Sequence, residues 1–156
     1  MPQPSAAAFD HKTWGLKMRV HFGQIYIEPG ITFPFSHHFQ RRLAEEITAL
    51  VKPSETFTKK FGADWELMFR ISAKTQIDEN EIRGPTIYKR DKNVEYTVFL
   101  PFDVIAHEDH VPQMALLFLL KGCCHVFREL GVDPAMIEKS AESMIDTICA
   151  DPKMFV

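Results

Sequence analysis

The sequence predicts an α+β fold: a single domain with a mostly antiparallel sheet of about four strands, covered by helices, and a helical hairpin at the C-terminal end. Three observations predict it. Apolar and polar residues alternate with a period of two near 16–27, 65–74 and 94–100, the signature of half-buried strands. Apolar residues recur at helical spacing within 39–50 and 114–148. The strands expected at 65–74, 86–89 and 94–100 follow one another through short links, which favours an antiparallel meander.

Along the chain, residues 1–13 hold Pro2, Pro4, Ser5 and three alanines, and a flexible arm is expected there, with the folded domain over 14–156. Leu16, Met18, Val20 and Phe22 then alternate with Lys17, Arg19 and His21. Gly23 is a candidate bulge, after which Ile25 and Ile27 resume the alternation until Pro29-Gly30 stops it. Ser36 has the chemistry of a helix N-cap ahead of Phe39, Leu43, Ile47 and Leu50. Arg41/Glu45 and Arg42/Glu46 are spaced four apart on the opposite, solvated side. Pro53 closes this helix, and Ser54 caps a short turn that Gly62 ends. Trp65, Leu67, Phe69, Ile71 and Ala73 alternate with polar or amphipathic partners in the clearest strand of the chain. The polar loop Asp78-Glu79-Asn80-Glu81 leads through Gly84-Pro85 to a hairpin turning at Asp91-Lys92-Asn93. Val94, Tyr96, Val98 and Leu100 share one face of its second strand. Pro112 suits the first turn of a helix that is apolar almost all round from 114 to 128, and such a helix is expected to be buried on several sides. Gly131 is a natural helix terminator, and Asp133-Pro134 begins the second arm of the hairpin.

The 156 residues make one average domain, long enough to fold without disulfides or metal. A formal charge of −3 argues against a dedicated nucleic-acid binder, which carries a basic excess. It leaves room for an acidic face toward a basic protein. Cys123, Cys124 and Cys149 are an odd set with two adjacent members, so no disulfide framework is expected and a reducing, cytoplasmic setting fits. No secretory leader is read at the N-terminus, and the longest apolar run, 114–120, is too short to span a bilayer.

Each reactive side chain also has a plainer reading. His107-Glu108-Asp109-His110 offers metal-ligand chemistry, and a small metal-dependent hydrolase using His107, Glu108 and His110 is the alternative reading. The two histidines are three apart in a loop, unlike the one-face helical pair of zinc proteases. His37-His38 begins a helix, and His125 is expected as a hydrogen-bonded core residue. Cys123 and Cys124 lie mid-helix among Leu119, Leu120, Val126 and Phe127, without the cationic partner or helix N-terminus that activates a thiol. No GxGxxG, GxxxxGK[ST] or GxSxG stretch occurs. No cofactor and no metal ligand set is therefore expected, and no catalytic residue is assigned. Asp78, Glu79, Glu81, Glu108 and Asp109 crowd two loops and form a candidate docking surface, with Glu28 and Asp103 as weaker members. Tyr88 and Tyr96 are candidate aromatic anchors on the open side of the sheet. A third reading is a homo-oligomeric scaffold in which the apolar helix packs across an interface.

The stretch G-P-T-I-Y-K-R-D-K-N-V-E-Y-T-V-F-L-P-F-D, followed by L-L-K-G-C-C-H-V-F and G-V-D-P-A-M-I, resembles immunity proteins of bacterial polymorphic-toxin and contact-dependent growth inhibition systems. The resemblance spans 84–154, under half of the chain. It implies a small cytoplasmic protein that binds and blocks one cognate toxin domain, usually a nuclease, without catalysing a reaction or touching nucleic acid itself. It assigns no individual residue a role.

Overall fold

The computed structural model describes residues 18–51, 55–107 and 109–132, together with 135, 137–139, 143 and 146. Strand β1 spans Met18–Ile27, helix α1 His37–Leu50, helix α2 Glu55–Phe61 and strand β2 Trp65–Lys74. A 3₁₀ turn at Glu79–Glu81 leads to β3, Thr86–Tyr88, and β4, Asn93–Pro101. Helix α3, Phe102–Ile105, and helix α4, Val111–Glu129, follow. The expected arm at 1–13 lies outside the described residues. So does most of the second arm of the C-terminal hairpin, of which the described residues are helical and Ile137 is buried in the core.

Among the described residues, one sheet holds four strands in the order β1-β2-β4-β3. β2 runs parallel to both β1 and β4, and only the short β3 is antiparallel, to β4. The antiparallel meander read from the sequence is thus corrected to a mixed sheet. Two features of the chain account for it. The link between β1 and β2 carries α1 and α2, and a helical crossover returns the chain to the end where it began. The link after β2 runs back along the sheet before the tight β3–β4 hairpin, so β4 slots between β2 and β3, again parallel to β2.

The register explains the burial. Met18, Val20 and Phe22 stand beside Trp65, Leu67 and Phe69. The last two, with Ile71 and Ala73, stand beside Val94, Tyr96, Val98 and Leu100. This face carries the core, and the buried side chains of α1 and α4 join it: Phe39, Leu43 and Ile47 from one, Leu116, Leu119, Leu120, Cys123, Val126 and Phe127 from the other. The Phe127 ring meets Phe69 edge-on at 5.8 Å. Phe57 and Phe61 of α2 close on Trp65, with centroids 5.6 Å away in both cases, and the indole N–H donates to the Phe61 carbonyl at 3.0 Å. A buried indole usually finds a partner for its donor in this way.

Local signals hold where expected. The Ser36 side chain accepts from the Phe39 N–H at 3.1 Å. Gly62 ends α2 at a φ of 86°, and Gly131 follows α4 at 74°. The irregularity in β1 falls between Gln24 and Tyr26, just after Gly23.

His125 is a correction. It is not a core residue: its side chain is 55% exposed, and Nε2 lies 3.1 Å from Glu129 Oε1 one turn on. With Lys121, Arg128 and Glu129, also exposed, it forms a solvated stripe on α4. The helix is therefore buried on one side and not all round.

Candidate functional site

Parallel strands end together. The chain leaves β1, β2 and β4 at the same end of the sheet, so the segments after Ile27, Lys74 and Pro101 emerge side by side. Those segments carry Glu28, Asp78, Glu79, Glu81, Asp103 and Asp109. An antiparallel meander would have split these carboxylates between opposite ends.

Several of them are fixed locally. Asp78 Oδ1 accepts from the Asn80 N–H at 3.0 Å and caps the 3₁₀ turn. Glu28 Oε2 accepts from the Thr75 hydroxyl at 2.8 Å, tying the exit of β1 to that of β2. Glu81 Oε2 pairs with Lys74 Nζ at 2.7 Å. That hydrogen bond is the main reason the Lys74 ammonium is held above its ordinary range. Asp103 Oδ1 accepts from the Val104 N–H at 2.9 Å. Glu79 and Asp109 are exposed. Glu108 lies outside the described residues.

A hollow of about 570 Å³ opens beside these groups, on the sheet face opposite the core. Tyr26, Ser72, Lys74 and Phe99 line it, with Glu28 and Glu81 at its rim. The Lys74 ammonium sits 5.5 Å above the Tyr26 ring. Tyr26 is 45% exposed, and Val104, at the same end of the sheet, is 48% exposed. Tyr26 and Val104 are thus exposed apolar side chains at the end of the sheet that carries these carboxylates.

The two tyrosines singled out from sequence do not belong to this patch. Tyr88 pairs with Asn93 and stands on the open face, but at the opposite end of the sheet. Tyr96 pairs with Phe69 on the core face, with its ring 6.2 Å from that of His125. The expectation that both face the open side is corrected: residues 88 and 96 project from opposite faces, because 88 is level with an odd-numbered residue of β4 and 96 is even. Tyr26 and Phe99 were missed. The signal for Tyr26 was present, since strand alternation that turns Ile27 toward the core turns Tyr26 away from it.

The charge pattern is polar along the strands. The far end carries Lys59, Lys60, Lys89, Arg90 and Lys92 beside the carboxylates Glu55, Asp64 and Asp91, so its excess is basic but mixed. The Lys60 and Lys89 ammonium groups lie 5.2 and 5.7 Å from the Phe61 ring centre. Lys92 Nζ donates to the Ala63 carbonyl at 2.9 Å.

The remaining reactive side chains are dispersed. His37 and His38 are exposed at the start of α1, and His107 and His110 are exposed around α3 and α4. Among the described residues, no three His, Cys, Asp or Glu side chains come together to hold a metal ion. Cys123 and Cys124 are buried, and desolvation pushes both thiols up, Cys123 strongly. Cys149 lies outside the described residues. Among the described residues, no helix is long and apolar enough to cross a membrane. The chain matches no protein-family model, no curated protein and no solved structure in the comparisons made with them.

Proposed function

We propose that this chain is a toxin-neutralising immunity protein that binds and blocks a cognate toxin domain, with the acidic end of the parallel strands as its docking surface. One observation carries the reading: the topology gathers Asp78, Glu79, Glu81 and Asp109 at one end of the sheet, beside the exposed Tyr26 and Val104. A nuclease cleft is basic because it holds a phosphate backbone. A surface of carboxylates around apolar anchors competes for that cleft and speeds encounter by charge. The sequence resemblance to immunity proteins supports the same reading.

The test is to sequence the neighbouring genes for a large secreted toxin and to co-express this chain with that toxin's C-terminal domain; the lack of such a gene also counts against the proposal. The wild-type chain is expected to rescue growth. The exposed pair Glu79→Lys and Asp109→Lys, which breaks no local cap, is expected to weaken binding on the order of tenfold or more, and more steeply at low salt. Lys59→Glu with Lys60→Glu, at the far end, is expected to leave rescue intact. Equal cell death with and without the wild-type chain overturns the proposal.

A further inference from the structure

We infer that the hollow on the sheet face opposite the core is a receptor for one arginine side chain of the protein partner, which enters between Tyr26 and Phe99 and reaches Ser72 at the floor. The inference rests on the docking reading above and names the side chain that this surface takes.

Register builds the hollow. Tyr26 is level with Ser72, and Ser72 is level with Phe99. The three form one rung across β1, β2 and β4. Adjacent strands lie about 4.8 Å apart, so the two aromatic residues are rooted about 10 Å apart. Carbon atoms pack at about 3.5–4 Å, and one planar group therefore fits between two such walls. A short serine flanked by two long residues leaves the gap, a volume of about 570 Å³. Thr97, another short side chain, lines it on the next rung of β4.

The floor is polar and unsatisfied. Ser72 is only 3% exposed, it lines the hollow, and its hydroxyl has no hydrogen-bond partner among the described residues. A hydroxyl buried without a partner costs stability, and it is kept where a bound group supplies the missing bond.

The rim sets the charge. Glu28, Glu81 and Lys74 stand there, and two carboxylates against one ammonium leave one negative charge. Glu28 Oε2 accepts from the Thr75 hydroxyl at 2.8 Å, and Glu81 Oε2 pairs with Lys74 Nζ at 2.7 Å. Each contact engages one carboxylate oxygen, so Oε1 of either group can accept from an incoming donor. Lys74 neutralises Glu81, and the net charge belongs to Glu28. The Lys74 ammonium, 5.5 Å from the Tyr26 ring centre, already shows one wall holding a cation. Phe99 is the opposite wall.

A guanidinium answers all of these groups together. It is flat and stacks on an aromatic ring, it is always charged, and its five N–H donors can serve a rim carboxylate and the floor hydroxyl at once. An ammonium has no plane and is more strongly hydrated. A neutral amide brings no charge for Glu28. An anion meets Glu28 and Glu81, while the one cation is already paired. Arginine is also the side chain with which proteins grip phosphates, so a nuclease cleft can present it.

The probe is a set of blocked tripeptides, glycine-X-glycine with arginine, lysine or citrulline as X, added to the full chain and followed by NMR. The arginine peptide should shift the ring protons of Tyr26 and Phe99 and saturate with a Kd on the order of 1–10 mM. The other two should bind at least ~fivefold more weakly, since lysine lacks the plane and citrulline the charge. Glu28→Gln keeps an acceptor for Thr75, removes the charge, and should weaken arginine binding at least ~threefold. Ser72→Ala should weaken it by a similar factor without lowering the melting temperature, because the lost hydroxyl is unbonded in the free protein. Glu79→Gln, outside the hollow, should leave binding unchanged. An arginine peptide that shifts neither ring, or binds no better than its lysine or citrulline counterpart, overturns the inference. So does binding unaltered by both Glu28→Gln and Ser72→Ala. The peptides contain no toxin, so their failure is separate from a failure of rescue.

Discussion

Gly122 decides how closely α4 lies on the sheet, and Gly122→Ala is the most discriminating single perturbation of the fold. A Cβ built at this position meets Val98 Cγ1 at 2.9 Å and Cγ2 at 3.0 Å. Val98 is 3% exposed, in the second-from-outside strand, and its β-branched side chain has little rotamer freedom. Two effects oppose each other. Replacing glycine by alanine within a helix stabilises by about 1 kcal/mol. Forcing an extra methyl into a packed core costs about 1–3 kcal/mol. The steric term wins, and Gly122→Ala should destabilise the protein by about 1 kcal/mol, a fall in Tm of roughly 2–4 °C for a chain of this size. Val98→Ala alone should cost about 2 kcal/mol by loss of buried methyls. In that background the clash is gone, and Gly122→Ala should stabilise by about 1 kcal/mol. The double-mutant cycle in urea, followed by circular dichroism, should therefore give a favourable coupling of about 2 kcal/mol. Stabilisation by Gly122→Ala in the wild-type background, with additive effects in the double mutant, would refute the close helix–sheet contact.

Three further outcomes are expected. Ser36→Ala removes the cap on the Phe39 N–H and should cost about 1 kcal/mol in urea unfolding, with Ser36→Asp restoring most of it. Burial holds the Cys123 thiol well above its ordinary value of 9.0, so it should resist aromatic disulfide reagents in the folded protein at neutral pH and react at once in denaturant. The sign of the linkage follows. Below pH 9 the thiol is protonated in both states and its contribution is complete. Above pH 9 the unfolded chain ionises first, so stability falls as pH rises toward the folded-state value. Unfolding free energies from pH 7 to 10 should show that fall, and Cys123→Ala should reduce it in part, the raised Cys124 thiol supplying the remainder.

Much of the fold was legible because local chemistry and tertiary packing agree. The Ser36 cap and the alternation through Trp65–Lys74 stand where the sequence placed them, and the expected hairpin is present with its turn shifted to residues 89–92, Asn93 already pairing with Tyr88. Strand direction was not legible in the same way. Alternation sets which face a side chain occupies but not whether a neighbour runs up or down. Yet the helices between β1 and β2 were a usable sign of a crossover. His125 was misread because a long apolar run hides a narrow polar stripe: positions 121, 125, 128 and 129 follow helical spacing and are the exposed ones. At the candidate site, the acidic loops were read as two separate clusters. Their convergence depends wholly on strand direction, so it could not be seen until the topology was known. The tyrosine pair failed for the opposite reason, since each was judged by residue type and not by its parity within a strand.

The contact between Glu28 and Thr75 joins positions 47 apart, and the one between Val20 and Thr48 joins positions 28 apart. Chain order and spatial order are therefore out of step in β1. During synthesis this strand leaves the ribosome well before β2. Among the described elements, helix α1 arrives in between and is the next one to bond to it, through the Thr48 hydroxyl. Pairing of such distant parallel segments is intrinsically slow, so the Thr48 hydroxyl gives β1 a nearer partner than β2 in sequence.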